Sequence, residues 1–213
     1  MVAKPTLFQS PAMDMVALYC DLDDFYQAFA PTWHRRLLPA PGQQRQRARH
    51  LSVSEIMTLV VAFPDSDYRT FKPFYRKEVC RHWRAEFPRL VSYQRFIEYL
   101  PAVLVPLAAY LETRLGTTHG IAFLDSLPLS VCHNRRLYSH QVFADLAPRG
   151  KSSVDWFYGF KLHFVSNDSG DLLAVRFTPG TVDDRVPVPG LATGLWGKLL
   201  GDRGSVSQDL FEQ

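Results

Sequence analysis

Between Trp156 and Gly180 the chain reads WFYGFKLHFVSNDSGDLLAVRFTPG, and no other stretch restricts the fold as much. Phe160, Leu162 and Phe164 alternate with period two in an aromatic, β-prone run. The segment NDSGD has turn chemistry, with Gly170 in the bend, and DLLAVRFTPG follows as a second strand. A β-hairpin is expected here.

Extended-looking segments flank this hairpin. IAFLDSLPLSV, after Gly120, is apolar apart from one carboxylate, and KLLGDRG is a short apolar strand ending in a carboxylate and glycines. HNRRLYSHQVFADLAPRGKSS reads as a polar loop. TVDDRVPVPGL reads as a short helix capped by Thr181 or Asp183, and SVSQDLFEQ as the start of another helix. The second half is thus β, long loop, β-hairpin, short helix, β and helix, the order of the front half of an RNase H-like α/β fold.

The first half has a different texture. MDMVALYCDLDDFYQAF carries apolar residues at helical spacing (Val16, Leu18, Tyr19, Leu22, Phe25, Tyr26, Phe29), and Pro31 is expected to close that helix. The stretch from Pro39 to Arg49 is polar, basic and loop-like. Ser52 or Ser54 is expected to cap a helix through SEIMTLVVAF, with Glu55 in its first turn and Pro64 after its end. Tyr68 to Trp83 mixes aromatic and basic residues. Val91 to Leu115 is helical in pattern, interrupted by Pro101 and Pro106. Two regions follow: 1–116, mainly helical, and 117–213, strand-rich.

Composition sets the outer limits. Of 213 residues, 46% are hydrophobic and 21% charged, so a core can be buried and disorder is not the expectation. Net charge is +3, weak evidence for an anionic partner on its own. The excess lies in 1–116, where 15 Lys and Arg face 11 Asp and Glu. It is dominated by Arg, including Arg35, Arg36, Arg45, Arg47, Arg49, Arg76, Arg81 and Arg84, whose planar fork suits phosphate; a solvated helical surface has the same composition. Cys20, Cys80 and Cys132 are far apart, which argues against a zinc ribbon or a disulfide scaffold and fits a reducing cytosol. No secretory leader and no membrane span are expected.

Two aspartates stand out. Asp125 interrupts an apolar strand, where a carboxylate is costly unless paired, hydrogen-bonded or metal-bound. Asp202 ends KLLGD, and a carboxylate at the carboxyl end of a buried strand stands where α/β sheets place ligands. If the two strands lie side by side, the carboxylates repel unless a divalent cation such as Mg²⁺ joins them, an arrangement that suits two-metal phosphodiester chemistry. Either aspartate alone also reads as a turn or cap residue.

With these residues in view, FLDSLPL, GKSSVDWFYGFKLHF, FTPGTVDDR and LLGDRGSVS resemble bacterial insertion-sequence transposases of the DDE class, and among them the insertion-sequence 982 group. The likeness runs from about Leu51 onward. It implies an RNase H-like catalytic core, Mg²⁺ or Mn²⁺ as cofactor, and metal-dependent DNA strand cleavage and strand transfer at transposon ends. Asp125 and Asp202 match the first two catalytic carboxylates and would ligate the metal. The family's third, a Glu on a helix well downstream, has no match: Asp209 and Glu212 lie too close to Asp202. If the chain is complete at Gln213, a truncated, inactive product is expected, with exposed apolar surface and poor solubility; a continuation in another reading frame is the alternative. Double-stranded DNA (transposon ends and target), a homodimer when active, and a cytoplasmic, nucleoid-associated location complete what the likeness implies.

Other candidates are open to two readings. Lys151, Lys161, Tyr158, Arg135, Arg136 and Arg203 fit contacts to DNA phosphate or solvated positions. Trp156 and Phe157 read as core before base-stacking platform. Asp183 and Asp184 read as helix caps before metal ligands. His133, His140 and His163 are too dispersed for a zinc site, and His163 reads as structural. LSVSEIMTLVVAF and the basic stretch after it are the best place for a helix-turn-helix. Two further functions stay in view: a non-catalytic DNA-binding remnant or repressor, and an RNase H-like nuclease on RNA–DNA hybrids.

Overall fold

The computed structural model describes residues 14–36, 49–139, 147–151 and 155–202. The chain divides into two compact units, 1–113 and 114–213.

The first unit is helical. Helix α1 (Met15–Arg36) does not stop at Pro31 but runs through it. The reason lies on one helix face: Phe25 stacks on Phe29 at 5.5 Å and Phe29 on Trp33 at 5.9 Å. This aromatic ladder at i, i+4 spacing bridges the turn in which proline removes a backbone bond. Helix α2 (Val53–Ala62) starts at Ser52, whose side chain accepts the Glu55 N–H while the Glu55 carboxylate accepts the Ser52 N–H. That reciprocal capping box selects Ser52 over Ser54. Ser54 is instead buried and donates to Asp23 on α1 at 2.6 Å. A helical run follows, with α3 (Phe71–Pro73), a π-helical turn (Phe74–Val79) and α4 (Cys80–His82). Then come α5 (Tyr93–Tyr99) and α6 (Leu104–Thr113), separated by a 3₁₀ turn that holds Pro101.

Leu22, Leu51, Ile56, Met57, Leu59, Phe74, Tyr75 and Phe96 are fully buried and form this unit's core. Each such side chain contributes roughly 1.5–3 kcal/mol by leaving water. Tyr75 donates its hydroxyl to the Val91 carbonyl at 2.7 Å, and burial pushes its pKa up to about 12. Among the described residues, no single helix is long and apolar enough to cross a membrane.

The second unit is a mixed α/β body around one five-stranded sheet. Strand β1 (Ile121–Cys132) pairs antiparallel with β3 (Trp156–Asn167). The other edge of β3 is shared by β2 (Arg149–Lys151) and β4 (Leu172–Pro179), both antiparallel to it. Strand β5 (Lys198–Gly201) lies parallel to β1 on its outer edge. The β3–β4 hairpin turns at 168–170, with Gly170 at φ +88°, as its sequence requires.

Three local readings are corrected. The long loop after β1 contains a 3₁₀ turn (Asn134–Ser139) and strand β2. The short helix is only α7 (Val188–Leu191) and starts from Pro187 without a side-chain cap. Asp183 accepts the Arg185 N–H at 2.9 Å, an Asx-type turn in place of a helix cap.

One sheet face is covered. Ala122, Leu124, Val165 and Leu173 pack there against Val188 and Leu191 of α7. The opposite face exposes Ile121, Phe123, Leu127, Leu129 and Leu200. The expected helix in SVSQDLFEQ, with Asp209 and Glu212, lies outside the described residues, as do Arg203, His140 and most of the basic loop after Pro39.

Candidate active site

The site is built by the parallel pairing of β1 with β5. Its register runs Ile121 with Lys198, Ala122 with Leu199, Phe123 with Leu200 and Leu124 with Gly201. One step further along both chains stand Asp125 and Asp202. Neighbouring strands lie about 4.8 Å apart, so the two residues begin side by side, Asp125 within β1 and Asp202 just past the carboxyl end of β5. The entry to this pairing is glycine-built. Gly197 has φ +99°, and a Cβ there would lie 2.2 Å from the Gly120 carbonyl oxygen. Without that contact the Lys198 N–H could not reach Gly120 O, which it does at 2.8 Å.

Asp125 is exposed, on the opposite face from Ala122 and Leu124. Its Oδ1 accepts the Ser126 N–H at 2.7 Å. Asp202 is also exposed. Two hard oxygen donors suit Mg²⁺, which takes one or two carboxylates and keeps several waters. Among the described residues, no group of three or more His, Cys, Asp and Glu is arranged to hold a metal.

Behind Asp125, on the covered face, lies a buried polar network. Ser126 donates its hydroxyl to Asp184 Oδ1 at 3.2 Å. Lys161, only 7% exposed, places its ammonium 2.9 Å from the same oxygen and 3.0 Å from the Val182 carbonyl. His163 is buried, with Nε2 at 2.8 Å from Thr178 Oγ1 and Nδ1 at 4.0 Å from Asp184 Oδ1. Burial lowers the His163 pKa; Asp184 opposes that shift and Lys161 adds to it. The network ties the loop after β4 to β1 and β3.

The sequence-derived candidates fall on different sides of this sheet. Asp125 and Asp202 each follow the last residues of the β1–β5 pairing. Lys161 and Tyr158 are buried, and Lys161 pairs with Asp184. Asp184 faces a lysine and a serine. His163 is structural in the sense expected, held by Thr178. Arg135, Arg136 and Lys151 are exposed. Phe157 is buried, whereas Trp156 is 47% exposed. Sequence reasoning missed the Ser126–Lys161–Asp184 network. Its signal was present: Lys161 and His163 occupy one face of a strand, two residues apart, and a buried cation needs an acid.

No curated protein and no solved structure matches the chain. Residues 115–213 match the family model described as a transposase DDE domain, which supports a DDE-class transposase as the coarse reading of the strand-rich unit.

Proposed function

We propose that this chain is a DNA transposase, related to the insertion-sequence 982 group, in which Asp125 and Asp202 hold Mg²⁺ or Mn²⁺ for DNA strand cleavage and strand transfer at element ends. The observation that carries this reading is the parallel register of β1 with β5, whose last pair, Leu124 with Gly201, is followed on each chain by an aspartate. The sheet order supports an RNase H-like core: an antiparallel hairpin on one side of β1 and a parallel strand on the other. The match to a transposase DDE domain supports DNA as the substrate. A homodimer acting in the cytoplasm on the nucleoid belongs to the same proposal.

When bound, the ion supplies Lewis-acid polarisation of a phosphoryl oxygen. The chain's own contribution is orientation. The Ser126 N–H holds one oxygen of Asp125, and the Ser126 hydroxyl is anchored to Asp184. Asp184 is itself neutralised by Lys161, so it keeps its position behind the strand and does not compete for the cation.

The test is cleavage of labelled duplex DNA carrying the element's ends, with Mg²⁺ or Mn²⁺. Asp125→Asn and Asp202→Asn should each abolish cleavage while leaving DNA binding intact. Retained cleavage by Asp125→Asn protein would refute the assignment. Preferential cleavage of RNA–DNA hybrids, or end binding with no cleavage by the wild type, would replace it with the nuclease or the non-catalytic reading.

A further inference from the structure

Strand β2 and the first residues of β3 carry a cluster that the carboxylate site does not use. Lys151 pairs with Trp156 and Arg149 with Tyr158 across the two strands. The Arg149 guanidinium carbon lies 4.9 Å from the Trp156 ring centroid and the Lys151 ammonium 5.9 Å from it. Both cations are exposed, and the indole is 47% exposed. An indole of that exposure has not been recruited to the core, yet its backbone is fixed on both sides. The Trp156 N–H donates to Asp155 Oδ1 at 2.7 Å, and Asn134 Nδ2 donates to the Trp156 carbonyl at 2.6 Å. The latter bond ties the 3₁₀ turn carrying exposed Arg135 and Arg136 to the start of β3.

A guanidinium held against an aromatic ring keeps its planar fork of N–H donors directed outward. Two cations are thus positioned by one ring, at little further entropic cost to whatever they grip. Two cations on one ring raise the local positive potential, which favours an anion. Alternation along β3 from Trp156 through Tyr158, Phe160 and Leu162 to Phe164, the cross-strand partner of Asp125, puts cluster and carboxylates on the same sheet face.

We propose that Arg149, Lys151 and Trp156 form a binding site for the phosphodiester backbone of duplex DNA, with Arg135 and Arg136 extending it. This rests on the transposase reading for its choice of polyanion and adds residues to it.

The experiment is a fluorescence anisotropy titration of a labelled duplex with the full chain, in EDTA, over a range of salt concentrations. The Arg149→Gln/Lys151→Gln double variant should bind at least tenfold more weakly at low salt. Its slope of log affinity against log salt should shrink by about 1.8, two phosphates at ~0.9 each. Trp156→Leu should weaken binding by itself, and Trp156→Phe should restore most of it. On the unaltered protein, DNA should protect Lys151 from acetylation, a readout that needs no variant to fold. Binding read in EDTA needs no metal, which separates this site from the carboxylates: failed cleavage chemistry leaves the binding result standing. An unchanged slope in the double variant, or no protection of Lys151, would overturn the proposal.

Discussion

Replacing Lys161 by Met probes the network behind Asp125 without emptying its space, because the Met side chain retains most of the apolar stem. The substitution deletes the ammonium and both of its contacts, to Asp184 Oδ1 at 2.9 Å and to Val182 O at 3.0 Å. Removing one partner of a fully buried pair costs roughly 3–5 kcal/mol, because the other charge is stranded. Asp184 is not fully stranded: its side chain is 32% exposed, and Ser126 still donates to it at 3.2 Å. Water reaching that side chain should recover about half of the cost, leaving a destabilisation of about 2 kcal/mol. Urea unfolding followed by circular dichroism gives the size, and amide exchange at Ser126 and His163 confirms that the loss lies in this unit. In the Lys161→Met background, Asp184→Asn should cost less than in the wild type, with a coupling of about 1–2 kcal/mol. The His163 pKa should rise in Lys161→Met, since the ammonium is one of the groups that lowers it. A destabilisation below about 0.5 kcal/mol with additive single effects would refute the reasoning, since it would leave the pair energetically idle.

Other expectations are briefer. Because burial holds the folded His163 pKa below its ordinary value of 6.5, the unfolded chain binds more protons in the window between them; stability should therefore fall as pH drops below about 6.5, and His163→Gln should flatten that fall in urea midpoints measured from pH 8 to 5. Gly197→Ala combines a left-handed backbone with a Cβ 2.2 Å from Gly120 O, so it should cost about 3 kcal/mol or more and deprotect the β5 amides in hydrogen exchange. Ser52→Ala breaks the capping box and should lower the stability of the helical unit by about 1 kcal/mol in urea unfolding.

The sequence makes much of this architecture readable because its strongest signals are local. The hairpin around Gly170 depends on alternation and a turn, and the start of α2 on Ser52 and Glu55, three residues apart. Both are decided within a few residues. Pro31 misleads because the force that carries α1 past it is a ladder of aromatic contacts, stronger than a rule about one residue. The three-residue β2 is too short to have a period and exists only because β3 offers it an edge.

The same division applies to the site. Asp125 is visible as a carboxylate in an apolar run and Asp202 as one at a strand end. Their juxtaposition depends on a parallel pairing across more than seventy residues, which no local pattern encodes. Lys161 misleads because a lysine in a strand is ordinarily solvated, and its partner lies on a distant loop. The face of β3 richer in aromatics is only half-buried at Phe160, Leu162 and Phe164, while the face holding Lys161 and His163 is covered. Tertiary pairing of Lys161 with Asp184, not hydropathy, makes burial of that face tolerable.

The central claim is that Asp125 and Asp202 share one divalent cation, and metal-directed cleavage of the protein chain tests it most directly. Fe²⁺ takes oxygen-ligand sites that bind Mg²⁺. With ascorbate and peroxide it cuts the backbone nearest to where it is bound. Cuts are expected beside both Asp125 and Asp202, suppressed by excess Mg²⁺ and absent in Asp125→Asn protein. Cuts confined to other segments, or an unchanged pattern in Asp125→Asn, would contradict it.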